Sequence, residues 1–261
     1  MNRELMSYPE RHRSFEHWFQ TSLGRALLAD QRQCIDTKLE QIPPAARQLQ
    51  VGVSHRLPLA GSTDFTQKIV TTPEWSPDLP EGVAVCDADE LPFPNDSIDL
   101  VILHHTADFS AYPHQVIREA SRVMRGGGQL LVFGFNPLSL WGLRRLVSRS
   151  HRGPWGARFI MRSRMEDWLS LLDFQVESSD TFFLRPPLQR SHTATRPEAT
   201  ERNWCARVLP VGAYYCILAT KRVYASTRTR QAWRRNNVVA MPGAISVSAR
   251  HSRTNESSND R

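Results

Sequence analysis

Three short apolar runs, all within residues 82–136, most constrain what this chain can fold into. They are Val83–Cys86, Leu100–Leu103 and Leu130–Phe133. Few polar residues alternate with the apolar ones, so each run is typical of a strand that is buried on both faces. The stretch therefore predicts three buried strands of one sheet.

A helix is predicted between the second and third of these runs. Pro113 suits its first turn, and apolar residues recur at helical spacing as far as Met124. The glycines at 126–128 are predicted to end it. Strands joined by a helical crossover indicate a doubly wound α/β sheet.

The same stretch resembles a known family. The segment VCDADELPFPNDSIDLVILHH, followed by REASRVMRGGGQLLV, is similar to the second half of a class I S-adenosylmethionine-dependent methyltransferase, of the type 11-like kind. The resemblance is tight over residues 83–135 and loose over 45–223. The segments FGFNPLSLWGLRR and W-x-x-LL-x-F are similar to an uncharacterised bacterial subgroup. The resemblance to the methyltransferases implies a Rossmann-like sheet, mostly parallel, with an antiparallel last strand at the sheet edge, Tyr214–Thr220, and S-adenosyl-L-methionine as cofactor.

The resemblance also implies which residues contact the cofactor. Asp87 would receive the adenine amino group, with Ala88 beside it and Leu91 against the adenine face; the alternative for Asp87 is a turn cap. Thr72 would bond to the ribose. His104, at the end of the fourth strand, would contact the cofactor, and a general-base role for it is the weaker alternative.

Two expected features of the family are reduced here. The loop after the first predicted strand keeps one well-placed glycine, Gly52, as the contact for the methionine part of the cofactor. No acidic residue precedes it, and Val53-Ser54-His55 follows where small residues are expected. The second strand, Lys68–Thr71, lacks a carboxylate at its end; a threonine there would bond to the ribose less firmly, or Glu74 would bend back. The chain is thus a methyltransferase of unknown acceptor, or a catalytically inactive binding or regulatory protein on the same scaffold.

The domain organisation is predicted from periodicity and charge at the two ends of the chain, and from the extent of the resemblance in between. Residues 1–44 form an N-terminal helical extension, with a helix from Phe15 to about Leu39 whose aromatic stripe packs on the sheet or forms a lid. Residues 45–224 form the methyltransferase-like domain, and 225–261 a basic, disordered tail. From Lys221 onward the chain holds nine Lys/Arg and two Asp/Glu, and taking these from 33 and 26 leaves 24 of each sign. The basic character belongs to the tail, which either contacts nucleic acid or only keeps the protein soluble.

Other functional classes are excluded by pattern. No apolar run approaches the ~20 residues that span a bilayer, and the N-terminus lacks a signal-peptide core, so we expect a cytoplasmic protein. The four cysteines and the histidines at 104, 105 and 114 lack ligand spacing, so no metal site is predicted. The acceptor is a small molecule or RNA. Arginines at 144, 145, 149 and 152 either line its entrance or form a solvated surface.

Overall fold

The computed structural model describes residues 8–43, 45–60, 65–148, 150–187 and 212–223. The basic tail at 225–261 lies outside the described residues. Helices and strands alternate along most of the described chain. The helices are α1 Tyr8–Trp18, α2 Ser22–Leu39, α3 Thr106–Phe109, α4 Pro113–Val123, α5 Leu140–Val147 and α6 Arg162–Leu171, with a 3₁₀ turn at Gly153–Gly156.

The predicted N-terminal helix is in fact two helices. The chain leaves the helical path after Trp18, and Thr21 caps the start of α2 by accepting a hydrogen bond from Gly24 N at 3.1 Å. A threonine hydroxyl satisfies one of the free N–H groups of the new helix, which makes the break stable. The predicted aromatic stripe still packs inward, because Phe15 and Phe19 are buried in the core.

The described residues form one seven-stranded sheet of order β3-β2-β1-β4-β5-β7-β6. Neighbours from β3 to β5 are parallel, and β7 is antiparallel to both β5 and β6. The doubly wound, mostly parallel sheet predicted from the sequence is therefore confirmed. Its strands are β1 Arg47–Gly52, β2 Gln67–Thr72, β3 Val83–Val85, β4 Ile98–His104, β5 Met124–Phe135, β6 Phe174–Phe182 and β7 Tyr214–Lys221.

Three local expectations are wrong. β3 is not buried, and Val85 is 40% exposed, because β3 forms the edge of the sheet. β7 does not lie at the edge, since it is inserted between β5 and β6. The glycines at 126–128 do not end a helix; they lie inside β5, where the register to β4 shifts between Ile98 and Leu100. Gly127, at φ +78°, accommodates this irregularity.

The sheet is covered on both faces. The face toward α2 carries Leu100, Ile102 and Phe133, and the opposite face carries Val101 and Leu103, which pack with α4 and α6. This alternation is the period-two pattern of strands that are buried on both sides. Within the described residues, no helix is long and apolar enough to cross a membrane.

Candidate active site at the carboxyl edge of the sheet

The predicted site residues lie where the parallel strands end. Gly52 and His104 pair with each other at the ends of β1 and β4, and Thr72 pairs with Val85 at the ends of β2 and β3. The strand order reverses between β1 and β4, and ligands of open α/β sheets bind in the crevice at such a point. The topology therefore brings Gly52 and His104 together and leaves Thr72 one strand away.

A buried glutamine joins the histidines that follow β4. Gln31 of α2 has no exposed surface; its Oε1 lies 3.1 Å from His104 Nε2, and its Nε2 lies 2.7 Å from His105 Nε2. Because an amide oxygen only accepts and an amide nitrogen only donates, His104 is protonated on Nε2 and neutral His105 on Nδ1. One side chain thus holds both imidazoles.

His105 continues this network to Asp108. Its Nδ1–H donates to Asp108 Oδ2 at 2.9 Å, and the same oxygen accepts from the Phe135 backbone N–H at 2.9 Å. Asp108 is wholly buried in α3. Asp108 therefore connects the end of β4 to the end of β5. In the series Gln31–His105–Asp108, the carboxylate orients the imidazole as in a catalytic acid–base pair, but none of the three side chains contacts solvent.

Burial favours the neutral form of each titratable side chain in this network. Desolvation holds the pKa of His104 well below its usual value, and it lowers the pKa of His105 to about 3. Desolvation also raises the pKa of Asp108 well above its usual value, against the opposing effect of the Phe135 and Ile160 backbone N–H groups. Both histidines are therefore neutral at physiological pH, and neither acts as a base while it stays enclosed.

The backbone at His105 is strained. Its φ is +54°, in the left-handed region that glycine favours, at the tight turn between β4 and α3. Non-glycine residues in this region cost on the order of 1–3 kcal/mol and concentrate at functional sites. The turn aims the His105 ring back under α1 and toward Gln31.

Helices α1 and α2 and the turn between them, together called the N-terminal cap, cover this part of the edge with aromatic rings. The His105 ring lies 5.6 Å from the Phe15 ring and 4.0 Å from the Phe135 ring, and the His104 ring lies 5.9 Å from Phe19. Both histidines have 0% of their surface exposed. The end of β4 is thus sealed.

Polar contacts hold α1 against the loops that follow β1 and β2. Arg13 pairs with Glu74, just after β2, at 2.8 Å, and Glu16 pairs with Arg56, just after β1, at 3.3 Å. Glu74 was the alternative ribose ligand; in this conformation it bonds to the cap instead. Both arginine side chains are about 70% exposed, so each ion pair stabilises the closure only weakly.

The loop after β1 folds inward. The Gln50 side chain donates to Leu57 O and accepts from Leu59 N, each at 2.9 Å. This brace buries Val53, Leu57 and Leu59 in the core beneath the cap. At Gly52 an added Cβ would lie 3.6 Å from the His104 Cβ, an ordinary contact, so no cradle that only glycine allows exists there.

The predicted adenine end is open in contrast. Asp87 is exposed beside the buried Ala88 and Leu91. Leu91 N donates to Glu119, whose pKa is lowered chiefly by its bond to Arg122. A cleft of about 630 Å³ lies here, lined by Asp87, Asp89, Glu90, Leu91, Gln115, Glu119 and Arg122.

The two ends therefore differ in how they fit S-adenosylmethionine. At the adenine end, the exposed Asp87 carboxylate can accept from an amino-bearing ring, in a cleft whose lining is polar apart from Leu91. At the methionine end, Gly52 and His104 are enclosed by Phe19 and Gln31, so this end fits the cofactor only after the cap moves.

Sequence reasoning missed Gln31, Gln50 and Asp108. Gln31 stands at helical spacing from Leu27 on an otherwise apolar stripe, and a polar residue in such a place is a signal of a buried partner. Asp108 follows His105 by three residues in the segment HHTADF. Gln50 had no comparable signal, because its partners lie in an irregular loop.

The predictions about cysteines and metal sites can be compared with the structure only for the described residues. Cys34, Cys86 and Cys216 are free thiols, and Cys205 lies outside the described residues. No three metal-binding side chains cluster within the described part of the chain. The absence of a metal site stays a prediction.

Comparison with known proteins agrees with this topology. A family described as "Methyltransferase domain" matches residues 62–132. This part of the chain is thus similar to a methyltransferase domain. The chain is similar in fold to a Thermotoga maritima SAM-dependent methyltransferase, a possible histamine N-methyltransferase, with a TM-score of 0.59 and 20% identity over 82% of this chain and 98% of that one.

Two further proteins are similar to this chain. One is a chain in the Haloferax volcanii complex of the Trm112 methyltransferase activator and a putative methyltransferase, with a TM-score of 0.56 and 14% identity over 82% of this chain and 98% of that one. The other is the uncharacterized protein YafS of Escherichia coli, 41% identical over 97 residues. That match covers 37% of this chain and 40% of YafS.

Proposed function

We propose that the chain is an S-adenosylmethionine-dependent methyltransferase whose cofactor crevice is closed by the N-terminal cap in this conformation. The observation that carries the proposal is the strand order, with the switch point between β1 and β4 and antiparallel β7 between β5 and β6. The methyltransferase family match over residues 62–132 supports it independently.

The residues proposed to hold the cofactor follow the edge of the sheet. Asp87 accepts from the adenine amino group, Ala88 and Leu91 supply apolar contact, and the Thr72 hydroxyl bonds to the ribose. Gly52 and His104 would meet the methionine portion once the cap has moved. When bound, S-adenosylmethionine supplies an electrophilic methyl group. The protein has to exclude water and hold the acceptor in line, and the aromatic underside of the cap is suited to excluding water.

The second candidate is a scaffold without catalysis, and one observation favours it. Gln31 and Phe19 occupy the space beside His104, and Glu74 is bonded to Arg13. A cap that never moves would leave only the adenine end for a ligand. The two candidates differ in a single measurable property, which is whether the cofactor binds with its methionine portion engaged.

A calorimetric titration of the full chain separates them. We expect S-adenosylhomocysteine to bind, and Asp87→Ala to weaken this binding at least about tenfold because one charged hydrogen-bond acceptor is lost. Asp89→Ala, beside it in the same cleft, is the matched control and should change affinity less than about twofold.

Comparison with adenosine, which lacks the methionine portion, completes the test. If S-adenosylhomocysteine binds no more tightly than adenosine, the methionine end stays closed and the scaffold candidate holds. If neither binds at millimolar concentration, the proposed function is refuted.

The methyl acceptor and the partners are proposed only as broad classes. A small molecule or RNA remains the proposed acceptor class. The proposed nucleic-acid contact through the tail concerns residues 225–261, which lie outside the described residues. Deleting them should abolish salt-sensitive RNA binding if the tail carries it.

A further inference from the structure

A second cleft, separate from the residues assigned to the cofactor, opens where α4 begins. It has a volume of about 670 Å³ and lies between the start of α4 and the segment that leads into α6. This is within the usual range for a small-molecule site. It is lined by Ala111, Tyr112, Pro113, His114, Gln115, Arg158, Phe159, Ile160, Met161, Arg164 and Trp168.

The charged side chains that line this cleft are basic. They are Arg158 and Arg164, and no carboxylate is among the lining residues. Arg158 donates to a carbonyl, Ala111 O, at 3.3 Å, and Arg164 lies over the Trp168 ring at 5.6 Å. Within the described ranges neither guanidinium has a carboxylate partner, unlike Arg122 and Arg13. Two arginines without a counter-charge at one cleft favour an anionic ligand.

Aromatic side chains lie beside these charges in the cleft. The His114 and Trp168 rings are 3.8 Å apart between centroids, and Tyr112 is 68% exposed. Planar rings pack on aromatic side chains in offset-stacked or edge-to-face arrangements. The cleft thus combines a site for a ring with a site for negative charge.

Backbone groups add to the positive potential. Both α4 and α6 begin at the cleft, and neither has a side-chain N-cap: their capping residues are Tyr112 and Met161. The free N–H groups of an uncapped first turn carry partial positive charge. This contribution has the same sign as that of Arg158 and Arg164.

The wall of the cleft is connected to the buried histidines. Arg158 N donates to Asp108 O at 2.6 Å, and the Asp108 carboxylate accepts from His105. The cleft therefore lies beside the carboxyl end of β4, on the far side of Asp108 from Gln31. A ligand bound here would sit next to the part of the edge that the cap covers.

We propose that this cleft binds a small anion with a planar ring. As a consequence that rests on the proposed function, such a ligand with a hydroxyl group on its ring is the methyl acceptor. Its hydroxyl oxygen bonds to the methyl carbon of S-adenosylmethionine as the carbon–sulfur bond breaks, S-adenosylhomocysteine leaves, and the hydroxyl proton passes to solvent. Neither the cleft residues nor the ligand class depends on whether the cofactor binds, so the two proposals can fail separately.

The test is calorimetry on the full chain without cofactor, with 2-naphthoate and its neutral analogue 2-naphthamide as probes. We expect 2-naphthoate to bind at least about tenfold more tightly. The double variant Arg158→Gln/Arg164→Gln should remove this difference and leave 2-naphthamide unchanged. Trp168→Leu should weaken both probes. Arg118→Gln, an exposed charge loss on α4 outside the cleft lining, should change either affinity less than about twofold.

Three results would overturn the cleft assignment: equal affinity for the two probes, full retention of 2-naphthoate binding by the double variant, or binding of neither probe at millimolar concentration. The acceptor role has its own readout, which is methylation of 3-hydroxy-2-naphthoate in the presence of S-adenosylmethionine, followed by mass spectrometry. If 3-hydroxy-2-naphthoate and S-adenosylmethionine both bind but no methylated product forms, the acceptor role is refuted and the cleft assignment stands. Binding of 2-naphthoate with no binding of S-adenosylhomocysteine refutes the proposed function alone.

Discussion

Replacing Gln31 by leucine should make the protein less stable and, at the same time, a better binder of S-adenosylhomocysteine. In the closed conformation the change leaves His104 Nε2–H and His105 Nε2 buried without their partner, at distances of 3.1 and 2.7 Å in the native protein. Each unsatisfied buried group costs about 1–3 kcal/mol. Leucine keeps a similar volume, so we expect a net loss of about 3 kcal/mol.

The same loss shifts the balance between closed and open cap. When the cap has moved, both imidazoles contact water and the substitution costs little, so only the closed state is destabilised. A ligand that binds the open state then gains apparent affinity by up to the same free energy, and about 3 kcal/mol corresponds to roughly a hundredfold. Stability and affinity are therefore expected to move in opposite directions.

Two measurements check this prediction. Urea denaturation followed by circular dichroism gives the free energy of unfolding, and calorimetry gives the affinity for S-adenosylhomocysteine. Gln33→Leu, at an exposed position on the same helix, should change the unfolding free energy by less than about 0.5 kcal/mol. If Gln31→Leu lowers stability but leaves affinity unchanged or weaker, the cap does not compete with the cofactor and the reasoning is refuted.

Three further changes test other parts of the structure. Acidification should destabilise the protein, because burial lowers the pKa of His12 to about 4 and that of His105 to about 3. Their contribution is complete above pH 6.5 and is lost as the pH falls toward these values, by roughly 1.4 kcal/mol per pH unit for each group; Asp108, whose pKa is raised, acts in the opposite direction. Urea titrations at pH 7 and pH 5 with equal midpoints would contradict this. Gly134→Ala should cost about 1–3 kcal/mol, since the added Cβ would lie 2.3 Å from Tyr215 Oη, and an unchanged thermal midpoint would show that the ring moves freely. Tyr215→Phe should be neutral or stabilise by up to about 1 kcal/mol, because the buried hydroxyl has no hydrogen-bond partner among the described residues; a clear loss of stability in calorimetric melting would reveal a partner.

The order of helices and strands in the central part of the chain could be predicted from the sequence. The apolar runs at 100–103 and 130–133 and the helix beginning at Pro113 lie in the structure as predicted, because each is determined by its own periodicity and punctuation. The position of β7 in the sheet could not be predicted, because an apolar strand such as Tyr214–Lys221 is compatible with an edge or an interior position. The break at Thr21 was also missed, because the amphipathic pattern continues across it.

The sequence by itself determined that Gly52, Thr72, Asp87 and His104 lie at or just after the ends of strands, and parallel strands align these ends along one edge of the sheet. Only the tertiary structure decided which of them a ligand can reach. His104 is enclosed because Gln31, 73 residues earlier in the chain, bonds to it from another layer, whereas Asp87 stays exposed because the cap stops short of it. Accessibility depends on contacts between elements distant in sequence, and local periodicity contains no information about them.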